Sequence, residues 1–432
     1  MTAPAPPLSR LLLTAVQALD AVLHQGRSLT QVLQHTQAPW RAATQDITFQ
    51  VLRQWGTLQA LQGLLIPRRP ADAEAELLLA VALALLHSQA QAPWAPHYQA
   101  FTVVDQAVRA ADRLPSLKRF KALINACLRR FLREQADLEA RAAATPTGRW
   151  NHPDWWVAQV QHDHPAHWQD ILLAAQAPGP LTLRVNPRRA TRGQVAQALA
   201  QVGIDSTPVL THGLVLQQAR PVSQLPGFAE GWWSVQDAGA QHAAALLPLR
   251  DGMRVLDACA APGGKTAHLL ERADLHLTAL DVDPDRLARI GHNLDRLGLR
   301  AELRCADARD PGACGEADYD AILADVPCTA SGIVRRHPDI RWLRRADDLP
   351  RTAALQQQIT DALWQRLKPG GTLLYVTCSV FLAEGEHQAT AFLQRHANAR
   401  RLAAPGQLLP ALPQAAAAQQ HDGFFYALFT KA

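Results

Sequence analysis

Apolar residues recur at helical spacing over the first third of the chain and then give way to short apolar runs. Leu11, Ala15, Ala18, Leu19, Val22 and Leu23 fit one helix face, as do Ile47, Val51, Leu52, Leu58 and Leu61. Pro67, Pro70, Pro93, Pro96 and Pro115 punctuate this region, so residues 8 to about 140 are expected to form several helices. Ala142 to Gly148 is small and polar and reads as a linker. Further on, Leu181 to Pro187 alternates like a strand. A helix is expected over 194–201, with short strands around Val209 and over 214–216, which together make a small α+β module. From Ala238 strands and helices alternate. Strands are expected at 253–257, 275–281, 300–305, 319–324, 371–377 and 423–430, and helices at 265–272, 284–297, 352–367 and 384–396. That order predicts an α/β, doubly wound and mainly parallel sheet covered on both faces. The expected domains are 1–145 all-helical, 146–236 small α+β, and 237–432 α/β.

The first unit of the sheet carries the most informative turn. Met253 to Leu256 reads as a buried strand, Asp257-Ala258-Cys259-Ala260-Ala261-Pro262-Gly263-Gly264-Lys265-Thr266 as a turn, and Ala267 onward as a helix. A P-loop needs a glycine five positions before Gly264, where Cys259 stands. A dinucleotide loop needs three spaced glycines, and here two are adjacent. A tight loop without a phosphate cradle suits a ligand without phosphate at that point, and S-adenosylmethionine (SAM) is the obvious one. An ordinary glycine turn remains the alternative on these residues alone. The cofactor-binding candidates are Cys259, Ala260, Ala261, Pro262, Gly263, Gly264 and Lys265.

Polar residues collect at the other expected strand ends, the edge where such sheets hold ligands. Asp281, 24 positions after Asp257 (281 − 257), suits ribose hydroxyls. Asp307 suits an adenine amino group. Asp325-Val326-Pro327-Cys328 ends the fourth strand and Thr377-Cys378-Ser379 the fifth. A single aspartate there is often only a helix cap, and a free cysteine is often a small buried hydrophobe. A thiolate has a specific use on cytosine, however. Addition at carbon 6 makes carbon 5 nucleophilic enough to take a methyl group, and loss of the carbon 5 proton then expels the thiolate.

At this point the chain resembles a known family. The two cysteine motifs are similar to those of RNA cytosine-5 methyltransferases. The resemblance implies that Cys378 attacks the base, that Cys328 assists product release, and that Asp325 lies between the base and the methionine part of SAM. DNA cytosine-5 enzymes attack with the cysteine of the proline-cysteine motif, so Cys378 favours RNA over DNA. Ile333 to Trp342 and Asp422-Gly423-Phe424-Phe425-Tyr426 resemble the RsmB (Sun/Fmu) subfamily. The helical region resembles NusB around Leu123 to Arg130. The His152-Pro153 start and the Leu183-Arg184-Val185-Asn186 strand match the subfamily's RRM-like middle domain. Val326, Thr329 and Ala174-Ala175-Gln176 depart from the usual residues. The resemblance implies methylation of 16S rRNA at carbon 5 of a cytosine, position 967 in that subfamily. The alternatives are a tRNA or other rRNA cytosine-5 methyltransferase, a non-catalytic NusB-like RNA-binding factor, and a dehydrogenase, which the two-glycine loop disfavours.

Charge adds candidate RNA contacts. Arg113 to Arg133 holds seven basic residues and no acidic one. With the arginine edge at 184–192 and the segment 335–345, it supplies Lys118, Arg119, Lys121, Arg129, Arg130, Arg184, Arg188, Arg189, Arg335, Arg336, Arg341 and Trp342. For each run the alternative is a solvated basic face. The net charge of +5 leans only mildly toward an acidic partner. Six cysteines without a CxxC pair argue against a zinc ribbon or disulfide framework and for a reducing cytoplasm. His152, His162, His164 and His167 cluster among four tryptophans, but no cysteine or tight carboxylate set joins them, so packing and surface roles are expected rather than a metal. Met1 to Arg10 lacks the order of a signal peptide, and the longest apolar run, Leu77 to Leu86, is about half a membrane span. A monomer acting on RNA, with no membrane association, is expected.

Overall fold

The computed structural model describes residues 7–66, 72–91, 98–218, 220–315 and 318–432. Pro67, Pro70, Pro93 and Pro96 lie outside the described residues. The chain forms two compact units, Met1–Ala177 with Val334–Ala346, and Pro178–Ile333 with Asp347–Ala432.

The first unit is helical. Helices Leu8–Leu23, Ala38–Arg53, Trp55–Leu65, Ala73–Gln91, Ala100–Arg113 and Lys121–Arg133 share one core. Leu77 to Leu86 is buried throughout, so the apolar run is the centre of this core. In the last of these helices Ile124, Cys127, Leu128 and Phe131 are buried at helical spacing. The stretch read as a linker is instead packed structure. Thr145 caps helix Pro146–Trp150 through Gly148 N. A Cβ on Gly148 would meet the Ala142 carbonyl oxygen at 2.2 Å. The compact helical unit runs on through Asp154–Asp163 and Trp168–Ala174 to Ala177.

The second unit holds two sheets. β1 (Thr182–Val185), β2 (Ser206–Val209), β3 (Gly213–Leu216) and β4 (Trp233–Val235) form an antiparallel sheet in the order β2-β3-β1-β4. β5 (Arg254–Ala258), β6 (His276–Asp281), β7 (Glu302–Cys305), β8 (Tyr319–Asp325), β9 (Leu367–Thr377), β10 (Ala399–Leu408) and β11 (Phe424–Lys431) form the larger sheet. Its order is β10-β11-β9-β8-β5-β6-β7. β5 to β9 run parallel, and β10 and β11 are antiparallel. Neighbouring residues of one strand enter opposite cores, as the twofold alternation of strands requires. Val255 and Leu323 pack with helices Gly264–Arg272 and Pro284–Leu297 on one face. Leu256 and Ile322 pack with Asp348–Gln365 and Glu386–Arg395 on the other. The strand order reverses between β5 and β8, and that is where such a sheet opens a ligand crevice. No helix among the described residues is long and apolar enough to cross a membrane.

Candidate active site

Next to last in β5, Asp257 is fully buried. Its Oδ2 accepts from the Thr266 hydroxyl at 2.6 Å, and its Oδ1 has no partner among the described residues. Burial pushes this carboxyl up to about 7, reinforced by the nearby Asp325 and Asp281. The next residues turn through two left-handed positions, Cys259 at φ 59° and Gly263 at φ 92°. A Cβ on Gly263 would come within 2.9 Å of Ile290, so glycine is required there. Burial pushes the Cys259 thiol upward, which suits a wall rather than a nucleophile.

Asp281 ends β6 and is 2% exposed. It accepts from Ala261 N at 3.0 Å and Asp283 N at 3.1 Å, one bond per oxygen. Each oxygen keeps a lone pair, enough for a ribose hydroxyl. Asp281 borders a cavity of about 260 Å³ with walls from Leu280, Val282, Ala308, Pro327 and Ile359. Asp307 stands at the same cavity, and Arg309 donates to both its oxygens, which holds the carboxyl below its ordinary value. Apolar walls and a strand-end carboxylate with free lone pairs fit the adenosine part of SAM.

β8 and β9 deliver the remaining chemistry. Lys265 Nζ reaches Asp325 Oδ2 at 2.6 Å. Burial alone would lower the lysine, but the Asp325 charge and hydrogen bond outweigh it and raise it. Lys265, expected on the cofactor, thus also anchors the proposed base-facing carboxylate. Cys328 Sγ and Cys378 Sγ are 3.4 Å apart, and both are half-buried. The hydrogen bond with Cys378, then burial, pushes the Cys328 thiol well up.

Glu384 is the residue that sequence reasoning missed. It is fully buried and accepts from Thr329 N at 2.8 Å, Thr352 Oγ1 at 2.7 Å, Gln356 Nε2 at 3.1 Å and the Thr329 hydroxyl. Its carbonyl accepts from Tyr375 Oη at 2.8 Å. One carboxylate thereby ties the backbone after Cys328 to the loop after Cys378. The only signal was an acid inside Val380-Phe381-Leu382-Ala383-Glu384, an otherwise apolar run. The chain's ending closes the same loops. Gly332 N donates to the Cys378 carbonyl and Gly423 N to the Gly332 carbonyl, both at 2.9 Å. A Cβ on Gly332 would meet Gly423 O at 2.1 Å.

The expected RNA contacts divide. Lys118, Arg119 and Arg129 are exposed, and Lys121 and Arg130 partly so. Arg188 and Arg189 are exposed, with Arg188 also 2.6 Å from Asp274. Arg336 is half-buried. Three arginines and a tryptophan need correction. Arg184 is fully buried and clasps Glu271 through Nε and Nη2 at 2.8 and 2.7 Å, while Nη1 donates to Gly264 O and Gln236 Oε1 at 2.7 Å. It braces the glycine loop and cannot meet a phosphate. Arg335 is 2% exposed. Arg341 is fully buried and donates to the carbonyls of Asn151 and Ala175, the C-caps of two helices. Helix ends leave such carbonyls unpaired, and a cation there also meets the negative end of the dipole. Trp342 Nε1 donates to Leu52 O at 2.7 Å in the last turn of Ala38–Arg53, so its ring edge is committed to the helical unit.

Residues 244–430 match a family model described as 16S rRNA methyltransferase RsmB/F, and residues 152–223 match its ferredoxin-like domain. Ribosomal RNA small subunit methyltransferase B of Vibrio cholerae is 41% identical over 96% of both chains. Its counterpart in Escherichia coli O7:K1 is 39% identical over 96% of this chain and 97% of that one. Among solved structures, a methyltransferase homolog protein from Pyrococcus horikoshii covers 66% of this chain and 97% of its own, at 27% identity and TM-score 0.56.

Proposed function

The chain belongs to the RsmB/F family of SAM-dependent rRNA methyltransferases, and on that footing we propose that it methylates carbon 5 of a cytosine in 16S rRNA, at position 967, through a covalent Cys378 adduct. The observation that carries the reading is the thiol pair, 3.4 Å apart, beside the Lys265–Asp325 ion pair. SAM held by the glycine loop, Asp281 and the Asp307 cavity supplies an electrophilic methyl group.

The thiol pair sets an order of events. Two thiolates this close repel, so the pair holds one negative charge at a time. Cys378, as thiolate, adds to carbon 6 of the cytosine. Its sulfur is then a neutral thioether, and the neighbour that raised Cys328 no longer does so. Cys328 then gives its own proton to water and, as thiolate, takes the proton from the methylated carbon 5, so one proton leaves the site per methyl transferred. The electrons of that C–H bond restore the 5,6 double bond, and Cys378 leaves as thiolate. Asp325, held by Lys265, accepts from the exocyclic amine of the base. Glu384 keeps both cysteine loops in place and touches no reacting atom. The target base must leave any helical stack to reach Cys378. The exposed basic residues Lys118, Arg119, Lys121, Arg129, Arg188 and Arg189 are the proposed phosphate contacts.

Bisulfite sequencing of rRNA from a deletion strain tests the reading. One 5-methylcytosine should disappear from 16S rRNA and return with the intact gene. An unchanged 16S pattern would sink it, and a lost tRNA site would support the tRNA alternative.

A further inference from the structure

The helical unit contains a polar cavity of about 330 Å³ that nothing above employs. That volume lies within the roughly 300–1,000 Å³ of small-ligand sites. Gln50 and Arg53, on helix Ala38–Arg53, form one wall. Gln50 is 4% exposed, and its Oε1 has no partner among the described residues. Arg53 donates from Nη2 to the Arg335 carbonyl at 3.0 Å, and its Nε likewise has no partner among the described residues. A buried acceptor and a buried donor without partners are costly unless something polar enters. Burial lowers the Arg53 guanidinium to about 10, with the nearby Asp46 charge partly opposing it.

The other walls narrow the choice of ligand. His87 Nδ1 and Glu139 Oε1 form a pair at 2.8 Å in the cavity lining. A carboxylate there opposes a bare phosphate in the interior. Donors and acceptors mixed in this way suit the edges of a neutral, planar base. Arg149, also in the lining, is exposed and lies over the Trp150 ring at 4.8 Å. It offers a guanidinium for a phosphate outside while the base points inward.

We infer that this cavity receives one unstacked nucleotide of the RNA substrate, with its base at Gln50 and Arg53 and its phosphate at Arg149. The inference rests on the RNA methyltransferase reading above and adds a second contact on the same strand.

The test uses the full chain and a 16S rRNA fragment carrying 4-thiouridine. Photo-cross-linking should attach RNA to peptides holding Arg149 or Leu173. Leu173 lines the cavity and is 44% exposed, so Leu173→Trp can narrow the mouth without disturbing the core. It should abolish that cross-link and raise KM for the RNA about tenfold, roughly the effect of one or two lost hydrogen bonds. KM for SAM should stay the same. Gln50→Leu should raise the RNA KM by a smaller factor. An unchanged RNA KM in Leu173→Trp, with cross-links only elsewhere, would mean the cavity holds water alone. Wild-type protein that fails to methylate the fragment would count against the functional reading instead, and the cross-links would still decide whether the cavity takes a nucleotide.

Discussion

The helical unit contains two basic stretches that look alike in sequence and behave oppositely in the fold. On helix Lys121–Arg133 and just before it, basic side chains face outward, with the Arg119 side chain 71% exposed. In Val334–Ala346, Arg335 and Arg341 are 2% and 0% exposed. The first stretch has an apolar stripe at helical spacing, so its charges have a free face. The second has no stripe and ties helix ends together. Arg341 serves two C-terminal ends, and Asp339 Oδ2 accepts from Leu29 N at the start of Leu29–Gln34. The lesson is that a run of arginines says nothing about function until its backbone partners are known.

Mutations can break this comparison, and buried arginines should give the largest effects. Arg184→Ala leaves Glu271 buried without its partner, a loss of about 3–5 kcal/mol. Urea unfolding should show it, and calorimetry should show weaker SAM binding through the unbraced Gly264. A neutral Arg184→Ala would return that residue to the RNA-contact group. Arg341→Ala should cost about 2–3 kcal/mol by leaving two helix-end carbonyls unpaired. If stability holds and RNA affinity falls instead, the segment binds RNA as first expected.

A buried acid gives a pH-dependent counterpart. Folded protein holds the Asp257 proton to about pH 7, whereas the unfolded chain releases it near ~3.9. The folded state therefore binds more protons between those values, and stability falls as pH rises through that window. Asp257→Asn should remove this part of the fall, so the variant gains on wild type from pH 4 to pH 7. Parallel pH–stability curves for the two proteins would refute the assignment.

The smallest stability effect belongs to the exposed stretch. Replacing Arg119, Lys121 and Arg129 with alanine removes only surface pairs such as Lys121–Asp112, each worth about 0–1 kcal/mol. The salt dependence of RNA binding should nevertheless flatten by about 2 log units per log unit of salt, from three contacts at roughly 0.7 each. An unchanged slope would make this face merely solvated.

What was legible in the sequence follows from the same physics. Strands β5, β6, β8 and β11 are buried apolar runs, so their edges fell within a residue or two of expectation. Asp257, Asp281 and Asp325 stand at or next to their ends, which made the ligand edge readable in the sequence. β10 escaped because it is a largely exposed edge strand containing Pro405 and Gly406, with no alternation to mark it. β9 begins at Leu367, earlier than expected, because Pro369-Gly370-Gly371 reads as a turn. Glu384 was hidden as the supposed first residue of a helix. Its four donors come from two distant places, Thr329 and one turn of helix Asp348–Gln365 carrying Thr352 and Gln356, and no local pattern announces them.

The cysteines test the central claim most directly. Each variant, Cys378→Ala and Cys328→Ala, would be incubated with 16S rRNA fragment and SAM and run on a denaturing gel. Cys328→Ala should form the adduct, transfer the methyl group and stall, giving a slow-migrating protein–RNA band. Cys378→Ala should give neither band nor methylated RNA. A band from Cys378→Ala and none from Cys328→Ala would contradict the account by making Cys328 the nucleophile.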